Sequence, residues 1–418
     1  MTERSALDPA PDPAPGADLG ADPDHPAPAP PAFPAEEYAE RRAGVRAAMA
    51  RDGFGALLVT APEDVHYLCG LDHQGHFAVT GLLLPLEGTP VLVEREMEAP
   101  TAAAQTHGCA HVGYGDGTDP ADALLDVLLD ALRDLAPLPG HPGLPGLPGT
   151  LGYQADSLSL PPAVWDRLRE RGPSGMGWAD CGPLLTGCRS VHTPRETEHI
   201  RTAARLSDLA MEAGLAAAAA GARENEVAAA VHDAMLRAGG GLPAFAPLVR
   251  TTDRLDQEHL TWSTRRIGPD DAVFLELSAA YGRYHAPLAR LRHLGQDTAA
   301  RDARAAEASH EAMAALCAAL RPGETAEGVF HAWRSVMDRA VGGTYRRHHC
   351  GYLVGIGFPP GWMGGSRTLR PGNTMVLRAG MTLHIQSWML DAHVGRHALS
   401  DTALVTDDGC EVLTRTPR

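Results

Sequence analysis

Apolar and polar positions divide the chain into recognisable pieces. Between Glu36 and Phe54 the run EEYAERRAGVRAAMARDGF places apolar residues at helical spacing and predicts an amphipathic helix. GALLVTAPEDVHYLCG follows, a short apolar run that meets a turn at Pro62 to Asp64. TGLLLPLEGTPVLVER reads as two strands joined by a glycine-containing turn, a hairpin. A helix around Ala121 to Leu135 gives way to LPGHPGLPGLPG, Leu138 to Gly149, whose prolines deny it both a helix and a central strand, leaving a loop or an inserted linker. TLGYQADSLSLPPAVWDRLRERG reads as strand, loop and helix, carrying a first, smaller α/β domain with helices on a mixed sheet to about Leu185.

Paired helices, each pair followed by strands, set the rhythm of the second half. Thr193-Pro194 supplies a helix start, and Ile200, Ala203, Ala204, Leu206 and Leu209 follow at helical spacing. A second helix runs from Glu224 to Ala238, and Gly239 to Gly241 stop it rather than cradle a phosphate. Strand character returns in AVFLELSAAYGRYHAPLARLRHLG. Helices from Asp302 to Leu320 and Ala326 to Val341 then lead to YRRHHCGYLVGIGFPPGW and to the strand-rich GMTLHIQSWML and DTALVTDDGCEVLT. The repetition hints at an internal duplication. The expected division is a tail over 1–34, a first domain over 35–185 and a second over 186–418.

Composition narrows the partners. The tail is almost wholly Ala, Pro, Asp and Gly, too poor in large apolar groups to offset the entropy of ordering it, so disorder is expected there. The formal charge of −16, without a dense Lys/Arg patch, argues against nucleic acid and anionic membranes and for a small substrate. No apolar run approaches the roughly 20 residues of a membrane span, and the first residues lack the basic-then-apolar plan of a signal peptide. A cytoplasmic location is the expectation. Seven cysteines without a CxxC spacing predict reduced, mostly buried thiols rather than a disulfide framework or structural zinc.

His259, FLELSAAYGRYHAPLAR, HHCGYLVGIGFPPGW, GMTLHIQ and LSDTALVT, in that order, resemble the creatinase and aminopeptidase P family. The similarity covers about Ala35 to the C-terminus. It implies an α/β (α+β) chain, with a small creatinase-like N-terminal domain followed by a pita-bread catalytic domain. FPPGW, LRPGNT, AGMTLHIQ and LVTDDGCE are most similar to the ectoine hydrolase branch, which opens a small cyclic amidine. Metallopeptidase members of the family hold two metal ions with two aspartates, a histidine and two glutamates. Their pattern falls here on Glu276, Pro287, Tyr352, Gln386 and Ser400. Proline has no side-chain ligand, neutral Tyr, Gln and Ser are poor hard-metal ligands, and one carboxylate does not hold two divalent ions. A site without metal or other cofactor is expected.

The resemblance places a proton-shuttling histidine seventeen residues before the first ligand position, which is His259. Neutral imidazole can take a proton from water and return it to a leaving nitrogen near neutral pH. Glu276 is its expected electrostatic partner, with Glu258 and Asp256 as further carboxylates of unknown direction. The alternative for His259 is a structural histidine, and for Glu276 a buried partner of an arginine such as Arg290 or Arg292. In the apolar run VFLELSA a carboxylate needs some partner. Tyr352 and Gln386 either grip the substrate or fill space that metals occupy in relatives. His348 matches a second flanking histidine. Cys350 suggests a nucleophile with His349 or His348, against the usual inertness of a buried thiol. The resemblance also implies a homodimer whose first domains present a loop, here His76 and Phe77, to the partner's site. Ala78 stands near the place of creatinase's carboxylate-holding arginine.

The reading is a metal-independent hydrolase of a C–N bond in a small cyclic amidine, guanidino or amide derivative. Two alternatives stand beside it: a biosynthetic cyclase, dehydratase or C–N lyase on the same fold, and an inactive pseudopeptidase that binds peptide or protein.

Overall fold

The computed structural model describes residues 33–134, 150–172, 177–363, 367–391 and 393–418. Most of the expected tail, and the LPGHPGLPGLPG segment, lie outside the described residues.

The first half runs α1 (Ala35–Asp52), β1 (Phe54–Val59), α2 (Pro62–Cys69), β2 (Gly81–Pro85), β3 (Val91–Arg95), α3 (Ala99–Gln105), β4 (Ala110–Tyr114), α4 (Pro120–Asp134), β5 (Thr150–Tyr153), α5 (Pro162–Arg171), β6 (Trp178–Asp180) and α6 (Gly182–Arg189). Its sheet has the order β4-β3-β2-β1-β5-β6 and is mixed. The expected hairpin is present, with Gly81 opposite Val93, while β1 takes β5 as a parallel neighbour. At Pro62 the expected turn is instead the first turn of α2. Proline suits a first helical position because the missing N–H would have no partner there, and Glu63 and Asp64 favour the positive end of the helix.

The second half contains α7 (Pro194–Ala217), α8 (Glu224–Arg237), β7 (Leu248–Thr251), β8 (Ala272–Leu277), β9 (Ala280–Tyr281), β10 (Tyr284–His285), β11 (Leu288–His293), α9 (Gln296–Ala319), α10 (Ala326–Val341), β12 (Gly351–Leu353), β13 (Thr382–Asp391), β14 (Gly395–Val405) and β15 (Cys410–Val412). Thr193 begins α7 with a capping box closed by Glu196. Helix α9 begins six residues before the expected Asp302; its polar first turn, QDTAAR, carries no apolar period to reveal it. Strands β12-β13-β14-β11-β8-β7 form one sheet, with β15 beside β14.

Alternation assigns the two faces of this sheet. Leu275 and Leu277 pack with α7 and α8, whereas Leu383, Ile385, Met389 and Leu399 pack with α9 and α10. Glu276, Gln386 and Ser400 point the other way, toward the cleft.

The halves share one core, in which Val45, Met49 and Leu57 join Ile200, Leu206 and Leu277. Buried polar contacts fix their orientation: Arg41 lies 2.9 Å from Glu37 and 3.5 Å from Glu196, and the Tyr284 hydroxyl donates to Glu196 at 2.8 Å. Removing one member of such a buried set typically costs about 3–5 kcal/mol, because its partner's charge is left uncompensated.

Candidate active site

A cleft of about 780 Å³ opens between the halves. Its floor is the sheet face described above. Antiparallel register places Leu248, Glu276, Ala289, Ser400 and Gln386 in one row across five strands. Directly opposed residues share a face, so their side chains rise on the same side. Tyr352 stands opposite His384, two residues before Gln386, and therefore belongs to this face as well.

A neutral hydrogen-bonded net occupies the middle of the floor. Trp362 Nε1 donates to the Tyr352 hydroxyl at 2.9 Å. That hydroxyl is 2.8 Å from His384 Nδ1, and His384 Nε2 is 2.7 Å from Ser400 Oγ. Donors and acceptors close if Tyr352 donates to Nδ1 and Nε2–H donates to Ser400. Gln386 Nε2 adds a contact to Nδ1 at 3.3 Å. Burial, ahead of the charges of His349 and Arg347, pushes His384 down to about 3, so its ring is neutral at pH 7. Burial also raises the Tyr352 hydroxyl far above its ordinary range.

Glu276 differs from this net. It is buried on β8, and burial pushes its carboxyl up to about 7, with the charges of Arg250 and Arg347 pulling the other way. Neither arginine named from sequence is its partner. Arg290 binds Asp401 at 2.8 Å, and Arg292 donates to the Leu215 carbonyl. The needed counter-charge comes instead from Arg250, buried on β7, and from Arg347.

The remaining sequence candidates separate clearly. His259, exposed at the cleft, has φ 56°, a left-handed backbone uncommon outside glycine and worth a functional question. Its ring is 6.3 Å from that of Phe245. Glu258 also lines the cleft and accepts from Arg347 Nη1 at 2.8 Å. Burial opposes its ionisation, but Arg347 prevails and holds the carboxyl below its usual range. Asp256 is turned to Arg396, 3.2 Å away. His348 and His349 both line the cleft, and the buried Nδ1 of His349 has no partner. Cys350 is fully buried with its thiol pushed well up by burial, which leaves no thiolate for a nucleophile. His76 and Phe77 lie outside this chain's cleft, on the turn Gly75–Phe77, with Phe77 81% exposed.

Sequence reasoning missed His384, Trp362 and Arg347. His384 was detectable, since alternation puts it on the face of Gln386. Trp362 comes from a loop beyond the cis Pro359-Pro360 bond, whose path no periodicity describes. It also missed the wall from the first half, where Asp64 holds Arg189 at 2.5 Å and accepts from Gln154 Nε2 at 2.6 Å.

The floor does not fit a pair of divalent ions. Pro287 offers no side-chain donor, and its carbonyl accepts from Thr402 Oγ1 at 2.8 Å. The Tyr352 and Ser400 hydroxyls are engaged with His384, leaving Glu276 as the one carboxylate among the five positions. Among the described residues no group of three or more His, Cys, Asp or Glu is arranged to hold a metal ion.

Two halves of this kind, a small mixed-sheet domain and an antiparallel sheet backed by two helix pairs, define a creatinase-type N-terminal domain and a pita-bread domain. Residues 41–191 match the Creatinase/Prolidase N-terminal domain model, and residues 198–407 match Metallopeptidase family M24. The chain belongs to metallopeptidase family M24. It is 26% identical to an ectoine hydrolase of Halomonas elongata over 409 residues, covering 92% of this chain and 97% of that one. A probable dipeptidase PepE of Mycobacterium bovis is 28% identical over 391 residues, covering 92% and 96%. The crystal structure of dipeptidase PepE from Mycobacterium ulcerans superposes with a TM-score of 0.74 at 23% identity, covering 93% of this chain and 98% of that one, a likeness of fold.

Proposed function

We propose that this protein hydrolyses a C–N bond of an amidine, guanidino or amide group in a small amino-acid-like molecule, without a metal ion. The observation that carries the reading is Glu276: one buried carboxyl held near neutrality at a cleft floor whose other four ligand positions are Pro287, Tyr352, Gln386 and Ser400. A cationic amidinium arriving beside it adds its positive charge to those of Arg250 and Arg347, so the carboxyl gives up its proton and the pair forms in a buried site. The likeness to an ectoine hydrolase supports the same chemistry.

In the proposed reaction His259 takes a proton from water as its oxygen bonds to the amidine carbon. The C–N bond then breaks, its electron pair goes to nitrogen, and the same imidazole returns the proton to that nitrogen. Glu276 holds the positive charge in place, and Gln386 faces the substrate's N–H groups. The same reading makes the protein a homodimer in which the exposed Gly75–Phe77 turn meets the partner. The dipeptidase relatives supply the competing reading, peptide hydrolysis with added metal.

Chelator-treated protein, incubated with cyclic amidines, guanidino acids, small amides and Xaa-Pro dipeptides and followed by mass spectrometry, decides between them. Turnover of an amidine, guanidine or amide that survives chelation and falls at least a hundredfold in His259→Ala is expected. Turnover of dipeptides alone, and only after Mn²⁺ or Co²⁺ is added, would replace the proposal with the peptidase reading.

A further inference from the structure

His259 stands in the connection between β7 and β8, outside any helix or strand, yet its backbone is held at φ 56°. A left-handed conformation away from glycine is unfavourable and persists where neighbouring structure imposes it. The residues just before His259 carry that hold. Asp256 lies 3.2 Å from Arg396, the Gln257 carbonyl accepts from Arg250, and Glu258 accepts from Arg347 Nη1 at 2.8 Å. Of these arginines Arg347 is the one that lines the cleft. It is itself fixed. Its carbonyl accepts from Arg334 Nη1 of α10 at 3.0 Å, and its guanidinium carbon lies 4.1 Å from the centre of the Trp388 ring. Trp388 belongs to β13, is buried, and packs edge-on against Phe274 of β8, ring centres 5.2 Å apart. A packed path therefore runs from the strands that carry Glu276 and Gln386, through Trp388 and Arg347, to Glu258 and His259.

We infer that Glu258 and Arg347 are positioning residues: their ion pair ties the His259 loop to the cleft floor and sets where the imidazole stands relative to Glu276, and neither side chain binds the substrate. The inference rests on the proposed role of His259 and adds to it how that imidazole is held. Glu258 is the peptide neighbour of His259, so a shift of one carries the other. The planar guanidinium fixes direction as well as distance, which a flexible ammonium does not. The Glu258 side chain is 42% exposed, so the pair contributes little to stability. Its value is geometric, since a misplacement of about 1 Å at reacting groups costs on the order of a hundredfold in rate. A charge effect runs beside the geometric one. Burial pushes the Glu276 carboxyl up, Arg347 pulls it down, and Glu258 adds to the upward push.

Steady-state kinetics test this, using the amidine, guanidine or amide that chelator-treated protein turns over fastest, with His259→Ala alongside. Glu258→Ala is expected to lower kcat at least about tenfold with KM within about threefold of wild type, because a group that orients the base acts on the chemical step and not on binding. Glu258→Gln, whose amide oxygen still accepts from Arg347, is expected to recover most of the loss. Glu258→Ala combined with Arg347→Gln should lose no more than the larger single loss, as two links of one chain. The acid limb of kcat/KM is expected to move to higher pH in Arg347→Gln, which takes a positive charge from beside Glu276, and not in Glu258→Ala. A rise in KM at constant kcat in Glu258→Ala would put that carboxylate on the substrate and overturn the inference. So would unchanged kinetics, or losses that add. Circular dichroism checks that the variants are folded, and the exposed Glu258 decides by itself if Arg347→Gln is not. Turnover that survives His259→Ala, or none by the wild type, removes the proton-shuttle reading itself, and the pair's role with it.

Discussion

At the scale of single residues, Glu276 is a group whose ionisation the fold opposes. Its pKa rises from the ordinary 4.5 to about 7, so between those values the folded protein binds more protons than the unfolded chain. Stability therefore falls as pH rises through that window. Relative to Glu276→Gln, which cannot ionise, the wild type is expected to lose on the order of 3 kcal/mol between pH 4.5 and pH 8. Urea unfolding of both proteins at pH 5 and pH 8 measures the difference, and parallel behaviour would show that Glu276 is not a buried neutral acid. Which residue types stand at the five positions matched to the family's ligands was legible in sequence, since it is a matter of residue type at matched spacing. What the unlike residues do instead was not legible. A bridge from Tyr352 through His384 to Ser400 depends on three strands lying side by side, and nothing in the linear order announces it.

Elements fared according to how strongly their pattern repeats. The helix pairs and the hairpin were readable from period alone. Helix α2 was not, because Pro62 signals a turn and a helix start equally well, and the burial of seven of its eight residues decides between them. Strand β12 shows how close the approach of elements at the floor is. Gly351 has φ 154°, and a Cβ there would stand 2.4 Å from the His384 carbonyl oxygen of β13. Backbone cannot step aside as a side chain can, so Gly351→Ala is expected to separate β12 from β13. The cost is about 2–4 kcal/mol, read as a fall in melting temperature. Because Tyr352 is the next residue, amidine binding should weaken with it. An alanine variant of unchanged stability would mean that the two strands have slack.

The whole molecule places the site between two halves, which is why sequence could name floor residues and not the opposite wall. Asp64, Gln154 and Arg189 reach the cleft only through the packing of α1 and α2 on the second half. The proposed homodimer belongs to this scale too. Sedimentation equilibrium is expected to give twice the chain mass of 44.1 kDa, and a single-chain mass at micromolar concentration would leave the Gly75–Phe77 turn without its partner. The cleft's two-sided construction also has a practical meaning. A molecule that fits it touches both halves at once, and their shared core and buried Arg41–Glu196 contact make them melt together. Occupancy at a hundred times the dissociation constant adds about 2.7 kcal/mol to the folded state. Heating the protein in the presence of a metabolite library therefore turns the melting curve into a search for the substrate, one that requires no prior choice of reaction.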